Sequence, residues 1–331
     1  MKLLAGMDTI GLTQDQIPLD YDRLVSNGFT EVVSRKMQDG EITATQKYFL
    51  NTGKYRIDVG SARYQIELSL PKLRSADNIT AVPFQEVEDF VYELSEEVTG
   101  HLGQVVDLYS QARPYRLDYA FDFQGVGDRR SYIDAFGMLC RLPRGHKAVY
   151  GDGESLLGWT KSMAVRMYDK YLESGGNPQA KDVMRLECSV RGVSGVVRNV
   201  LAPGEGNMQA FTRSVRLGDV ATRQAAAGLA GRIWQKGLKG VGQVRRSRAD
   251  LLLEYLVETY GPGPACRLFG FASILYRYGD KWCLANYPKT TFYRLRSEWA
   301  RTGLVLTDLE EVVECDFRPL IREIKKLGMT A

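Results

Sequence analysis

The strongest constraint in this chain is a two-residue alternation of apolar and polar side chains that recurs in four segments. In 115–123, Leu117, Tyr119, Phe121 and Phe123 alternate with Arg116, Asp118 and Asp122. In 184–191, Met184, Leu186, Cys188 and Val190 alternate with Arg185, Glu187, Ser189 and Arg191. In 64–70, Ile66, Leu68 and Leu70 alternate with Gln65, Glu67 and Ser69. In 164–170, Val165 and Met167 oppose Arg166, Tyr168 and Lys170. Successive side chains of a strand point to opposite faces, so each segment reads as a strand with one apolar side. If the four share a sheet whose apolar face lies on helices, the other face gathers Asp118, Asp122, Glu187, Tyr168 and several cations.

That face has a definite chemistry. A tyrosine flanked by Arg166 and Lys170 is a candidate activated phenol, because neighbouring cations favour the phenolate and lower its pKa from the usual ~10. The same cations suit a phosphate. The facing carboxylates form a candidate metal site. An ordinary half-buried sheet with a solvated face would show the same alternation. Only two histidines occur, His101 and His146, so a bound metal would rest on oxygen ligands, which favours Mg²⁺ or Mn²⁺. The five cysteines (140, 188, 266, 283 and 315) lack metal-ligand spacing and read as reduced thiols of a cytosolic protein.

At 331 residues the chain has room for two domains and an ample core. No apolar run approaches a membrane span, and the one after Lys2 is too short for a secretory signal. Charge is unevenly spread. Residues 82–107 carry seven acids and no Lys or Arg, whereas 191–248 carry eleven Lys or Arg against Glu205 and Asp219. Such an excess suits a nucleic-acid partner, and equally a solvated basic surface.

In order, 43–50, 55–59 and 64–70 read as strands, with turn signals at Asn51-Thr-Gly53 and Gly60-Ser61. Apolar spacing through Val87, Val91, Leu94, Val98, Leu102 and Val105 predicts a helix within 83–107. A strand at 115–123, a helix near 130–141, the tyrosine strand and a strand at 183–191 follow. The expected fold class is α+β, with a mainly antiparallel central sheet, helices on one face and a helical C-terminal domain. The segment from Gly151 to Ser162 is glycine-rich, but Trp159 and Thr160 separate Gly158 from Lys161, so it is no Walker loop. The Leu201-Ala-Pro-Gly-Glu-Gly206 stretch divides a catalytic part, 1–205, from a helical, basic part, 206–331. Helices are expected at 219–229, 249–260, 265–277 and 289–301, with 237–248 a basic loop. The Asn286-Tyr-Pro-Lys289 break before a basic, aromatic helix is compatible with helix-turn-helix reading of DNA, or with plain helical packing.

Several pieces together resemble the filamentous-phage replication initiators (the gene II/X family) and, more distantly, rolling-circle plasmid initiators. They are Ser69-Leu-Pro-Lys-Leu73, Tyr115-Arg-Leu-Asp-Tyr-Ala-Phe-Asp122, Arg166-Met-Tyr-Asp-Lys170, Arg185-Leu-Glu187 and the block from Tyr278 to Leu304. In that block Asn286-Tyr-Pro-Lys-Thr-Thr-Phe-Tyr-Arg294, Trp299 and Gly303-Leu304 look like a C-terminal signature, and Asp316-Phe317 sits at the corresponding later place. The resemblance spans roughly residues 60–320.

It implies a strand-specific DNA endonuclease and ligase that nicks a plus-strand origin, forms a 5′-phosphotyrosine and later rejoins the strand. Tyr168 would be the nucleophile, with Lys170 and Arg166 steadying the phosphate or phenolate. Asp118 and Glu187 would hold the metal, with Asp122 and Glu67 as further candidates. DNA contacts would come from Arg116, Arg185, Arg191, Arg245, Arg246, Arg248, Lys289, Arg294 and Arg296. The implied partners are single-stranded or supercoiled phage or plasmid origin DNA and the host helicase, single-strand-binding protein and DNA polymerase, in the cytoplasm of a bacterial host. The His-x-His metal motif of better-known relaxases is absent. Tyr171 is a possible second nucleophile, expected to face the other way on the strand. Trp159 and Trp234 are candidates for base stacking or for the core. A non-catalytic origin-binding protein or repressor, and a metal-dependent nuclease using water, are the competing readings.

Overall fold

A computed structural model describes residues 1–15, 19–38, 41–60, 63–74, 79–140, 142, 145–150, 155–201, 208–238, 242–304, 306–309 and 312–329. Among these residues eleven strands form the main sheet. They are β1 (Lys2–Asp15), β2 (Thr30–Gln38), β3 (Glu41–Asn51), β4 (Tyr55–Val59), β5 (Arg63–Ser69), β6 (Val82–Pro83), β7 (Arg113–Gln124), β8 (His146–Tyr150), β9 (Ser155–Trp159), β10 (Met163–Asp169) and β11 (Val183–Arg191). Their order is β2-β3-β4-β5-β1-β7-β11-β10-β9-β8, with β6 beside β1, and neighbours run antiparallel. The expected α+β class with a mainly antiparallel sheet therefore holds.

The four alternating segments lie on β5, β7, β11 and β10, and their apolar residues share one core. Tyr64, Ile66, Leu117, Tyr119, Phe121, Phe123, Met184, Leu186, Cys188, Val165 and Met167 are buried on that side. The helix Val87–Leu102 covers part of it through Val87, Phe90, Val91, Leu94, Val98 and Leu102, in register with its 3.6-residue period. Its acidic residues face outward, as the spacing predicts.

At the centre stands β1, which pairs with β5 on one side and β7 on the other. Its middle eight residues are buried without alternation, as a strand covered on both faces requires. Gly6 is needed here, because a Cβ would overlap the Val82 carbonyl of β6.

The core continues beyond residue 206. Helix Arg223–Gly237 contributes Ala226, Leu229, Ala230, Ile233 and Trp234 to it. Residues 202–207, where the sequence marks its boundary, lie outside the described part. The basic stretch 237–248 is not all loop, since Gln243–Ser247 forms strand β12, antiparallel to β13 (Val312–Asp316). Just after β13, Phe317 packs its ring edge-on to Tyr132 and Trp234, which ties this small sheet to the main core.

Helices Arg248–Tyr260, Pro262–Asn286 and Lys289–Ala300 form two smaller clusters. Helix Pro262–Asn286 is broken at Gly279, whose φ of 76° and ψ of 171° are not helical. The chain therefore turns twice in quick succession, at Gly279 and at Tyr287-Pro288, before helix Lys289–Ala300. That last helix buries Phe292, Leu295 and Trp299, and exposes Lys289, Tyr293, Arg294 and Arg296.

Candidate active site

Antiparallel register places the polar side chains of β5, β1, β7, β11 and β10 on one continuous face. Asp118 stands opposite Thr9 and Ser189, Asp122 opposite Arg185, Glu187 opposite Arg166, and Arg185 opposite Tyr168. The grouping expected from alternation is thus present.

Tyr168 is its focus. The Tyr168 hydroxyl donates to Glu187 Oε2 at 3.3 Å. The Arg166 guanidinium lies 4.3 Å from the ring centroid and the Lys170 ammonium 5.7 Å from it. Ser155 on β9 fixes Arg166 by accepting from its Nε at 2.8 Å. Lys170 is no longer on the strand, because β10 ends at Asp169, whose carboxylate caps the short helix Lys170–Glu173. Asp169 accepts from the Tyr171 backbone at 2.9 Å and from Arg129 Nε at 2.6 Å. The cap turns the chain so that Lys170 is buried beside the phenol and paired with Glu173 at 2.9 Å. Tyr171 consequently sits in a helical turn rather than on the strand's far face.

The electrostatics overturn one expectation. Burial pushes the Tyr168 phenol well above its ordinary pKa, and Arg185 offsets this only in part while Glu187, Glu173 and Asp8 add to it. Two nearby cations do not compensate for desolvation at this depth. The phenol rests neutral, and something must take its proton. Glu187 is placed to do so: burial, with Asp118 and Asp8 nearby, pushes its carboxyl up to about 7. A base poised near neutrality, in contact with the group it serves, is the arrangement general-base catalysis calls for.

Alternation gave no hint of Asp8. It falls at the β1–β7 register shift between Met7 and Thr9, a bulge that turns its side chain toward the polar face. Thr9 Oγ1 donates to it at 3.1 Å, and burial raises its pKa. The usable signal was one acid, followed by Thr9, inside an otherwise apolar run from Leu3 to Leu12.

Of the four proposed metal ligands, the structure separates two from the others. Asp122 accepts two hydrogen bonds from Arg185, at 2.6 and 2.8 Å, and Glu67 is paired with Arg116. Both are paired with guanidinium groups and, unlike Asp118, neither keeps a buried oxygen without a partner. Asp118 is almost fully buried and accepts from Arg116 through Oδ2, while its Oδ1 has no hydrogen-bond partner. Asp118 and Glu187 are diagonal neighbours across β7 and β11. Among the described residues, no three His, Cys, Asp or Glu side chains converge as a ready-made metal cage. Oxygen donors, an orphaned buried carboxylate oxygen and mutually repelling acids fit Mg²⁺, which is commonly held by one or two carboxylates with substrate phosphates and water.

The expected DNA contacts divide similarly. Arg185 has no exposed surface and is committed to Asp122, Asp8 and the Ile79 carbonyl, so it organises the face instead of meeting DNA. Arg116 holds Glu67 and Asp118. Arg191 is exposed at the end of β11, and Lys289, Arg294 and Arg296 are exposed on their helix, where Arg294 pairs with Glu298 and Arg296 with Asp280. The side chains of Arg245, Arg246 and Arg248 lie outside the described residues. Trp234 is buried against Phe317 and belongs to the core, while Trp159 is partly buried beside His146.

No helix among the described residues is long and apolar enough to cross a membrane. No protein-family model and no curated protein matches the chain. Among solved structures it is similar to one described as the rolling circle replication initiator protein from Geobacillus stearothermophilus. The identity is 13%, the TM-score 0.35, and the match covers 71% of this chain and 86% of that one. A superposition this loose does not carry activity from one protein to the other.

Proposed function

We propose that this protein is a rolling-circle replication initiator: a site- and strand-specific DNA endonuclease and ligase whose nucleophile is Tyr168. The observation that carries the reading is the contact of a buried phenol with a carboxylate of near-neutral pKa, under two cations. Glu187 accepts the phenolic proton as the oxygen attacks the scissile phosphorus. The bond from phosphorus to Tyr168 forms, the bond to the 3′ oxygen breaks, and that oxygen leaves and takes a proton. Arg166 holds the phosphoryl oxygens against the ring, while Lys170, buried and paired with Glu173, offsets the charge developing on the phenol oxygen. The phosphodiester energy is kept in the phosphotyrosine, so the free 3′-OH can reverse the reaction without ATP.

Asp118, whose Oδ1 has no partner, is the part of the face that would hold Mg²⁺ or Mn²⁺ together with the substrate phosphate and water, leaving Glu187 to act as the base. A divalent ion there would polarise the scissile phosphate and offset charge in the transition state. The exposed cations of helix Lys289–Ala300, presented after two close turns, support a role for the C-terminal helices in holding duplex origin DNA. Extension from the 3′-OH would need a host helicase, a single-strand-binding protein and a polymerase.

The test mixes the purified protein, Mg²⁺ or Mn²⁺, and supercoiled plasmid carrying the origin of its own replicon, then denatures the products. A nicked circle linked through Tyr168, absent with Tyr168→Phe, is the expected result. Nicking with a free 5′ end would replace this reading with a water-using nuclease, and binding without nicking would replace it with an origin-binding repressor.

A further inference from the structure

The polar face does not end at the tyrosine. At its other side, across β1, β5 and the β3–β4 turn, lies an open cleft of about 280 Å³ lined by Thr9, Lys54, Arg56, Ser69, Lys72 and Arg116, among others. Its charges are not balanced in the way those of the catalytic cluster are. Arg56 is paired with Asp58 at 2.6 Å, and Arg116 with Glu67 and Asp118. Lys54 and Lys72 are exposed and form no ion pair among the described residues. Lys54 follows the tight turn at Gly53, whose φ of +84° suits glycine and whose N–H is held by Asn51 Oδ1 at 3.0 Å. The Ser69 hydroxyl lines the same cleft and is buried without a hydrogen-bond partner. An orphaned hydroxyl in one cleft with two unpaired ammonium groups lacks an acceptor that carries negative charge.

Arg116 belongs to both the cleft and the carboxylate cluster, so the two are continuous. Register places Ser69 in line with Ala164, so Tyr168 is four strand intervals across the sheet and four residues along it from Ser69, about 23 Å at ~4.8 Å per strand and ~3.3 Å per residue. We infer that the Lys54–Ser69–Lys72 cleft is a second phosphate subsite, which grips the backbone of the same single strand several nucleotides from the bond that Tyr168 attacks. This rests on the reading of Tyr168 as a DNA-strand nucleophile for the identity of the polyanion. Phosphate contacts carry no sequence information but fix the register of a strand, which is what a nucleophile with one correct bond to attack requires.

The test uses fluorescein-labelled oligothymidylates of increasing length, which report backbone contacts without sequence. Affinity is measured against salt for the parent protein and for Lys54→Ala/Lys72→Ala. Both side chains are at the surface, so the variant should melt as the parent does. Losing two single-strand phosphate contacts should flatten the log–log salt slope by about 1.4 and weaken binding about tenfold at low salt. The shortest oligonucleotide bound at full affinity should also shorten by several nucleotides. An unchanged slope and unchanged length dependence would overturn the subsite, as would a parent protein that does not bind oligothymidylate. The covalent adduct assay on origin DNA separates the two ideas. An adduct with no effect of the double variant on binding sinks only the subsite; no adduct, with binding still dependent on the lysines, sinks only the nucleophile.

Discussion

Arg185 and Asp122 face each other across β11 and β7 in a doubly hydrogen-bonded pair, Nε to Oδ1 at 2.6 Å and Nη2 to Oδ2 at 2.8 Å. The guanidinium has no exposed surface. Removing one member leaves a buried charge with inadequate compensation, so Asp122→Leu should destabilise the fold by about 3 kcal/mol in denaturant unfolding. Replacing both with apolar residues of similar volume should restore most of that loss, because the pair's own desolvation cost goes with it. A double variant as unstable as the single one would mean that Asp8 and the Ile79 carbonyl, not Asp122, decide the energetics.

Strand cleavage should depend on pH through Glu187. With its carboxyl pushed up to about 7, the base is protonated in mildly acidic solution, and the rate should rise through neutrality as a single ionisation. Glu187→Gln should flatten that rise and lower the rate about 10²- to 10⁴-fold. Stability should move the other way. A carboxyl raised in the folded state binds its proton more tightly there than in the unfolded chain. Its contribution is therefore full at low pH and is lost as pH climbs from the ordinary carboxylate range through 7, by up to about 3 kcal/mol. Thermal melts of the parent and Glu187→Gln proteins at pH 5 and 8 check the sign: the variant should gain relative to the parent at the higher pH.

Mg²⁺ or Mn²⁺ should raise the melting temperature without DNA, since a ligand that binds only the folded state stabilises it by mass action. Asp118→Asn should abolish most of the metal-induced shift; because it also weakens the buried pair with Arg116, the variant's metal-free melt should fall, and the shift is read against that lower baseline. A shift that survives the substitution would place the ion elsewhere.

Duplex binding should weaken with Lys289→Ala, and the log–log salt slope should fall by about 0.9 for one lost phosphate contact. Gel-shift titrations at several salt concentrations suffice. Arg294 and Arg296 are held by Glu298 and Asp280, so alanine at either should cost less than at Lys289.

How much of this was legible beforehand follows from where each residue sits. β5, β7, β10 and β11 have one buried and one polar face, so their alternation announced both strand and site, and Tyr168, Glu187 and Asp118 came together as read. β1 is buried on both faces and has no alternation to read, so the strand and Asp8 on it were missed together. The phenol's pKa was misjudged because sequence spacing shows neighbouring charges but not depth. β12 was hidden because its partner, β13, lies some seventy residues downstream, and a run of arginines looks like a loop until the partner is known.

The central place of β1 also has a bearing on how the protein is made. Leu3 pairs with Phe123 and Thr13 with Gln65, so a strand synthesised before either of its partners is also the seam between the two halves of the sheet. Until β7 has been synthesised, β1 can be held from one side only, and the apolar run from Leu3 to Leu12 must wait with an open edge. Losing those residues would not trim a margin. It would part the β2–β5 half, which carries the lysine cleft, from the β7–β11 half, which carries the tyrosine.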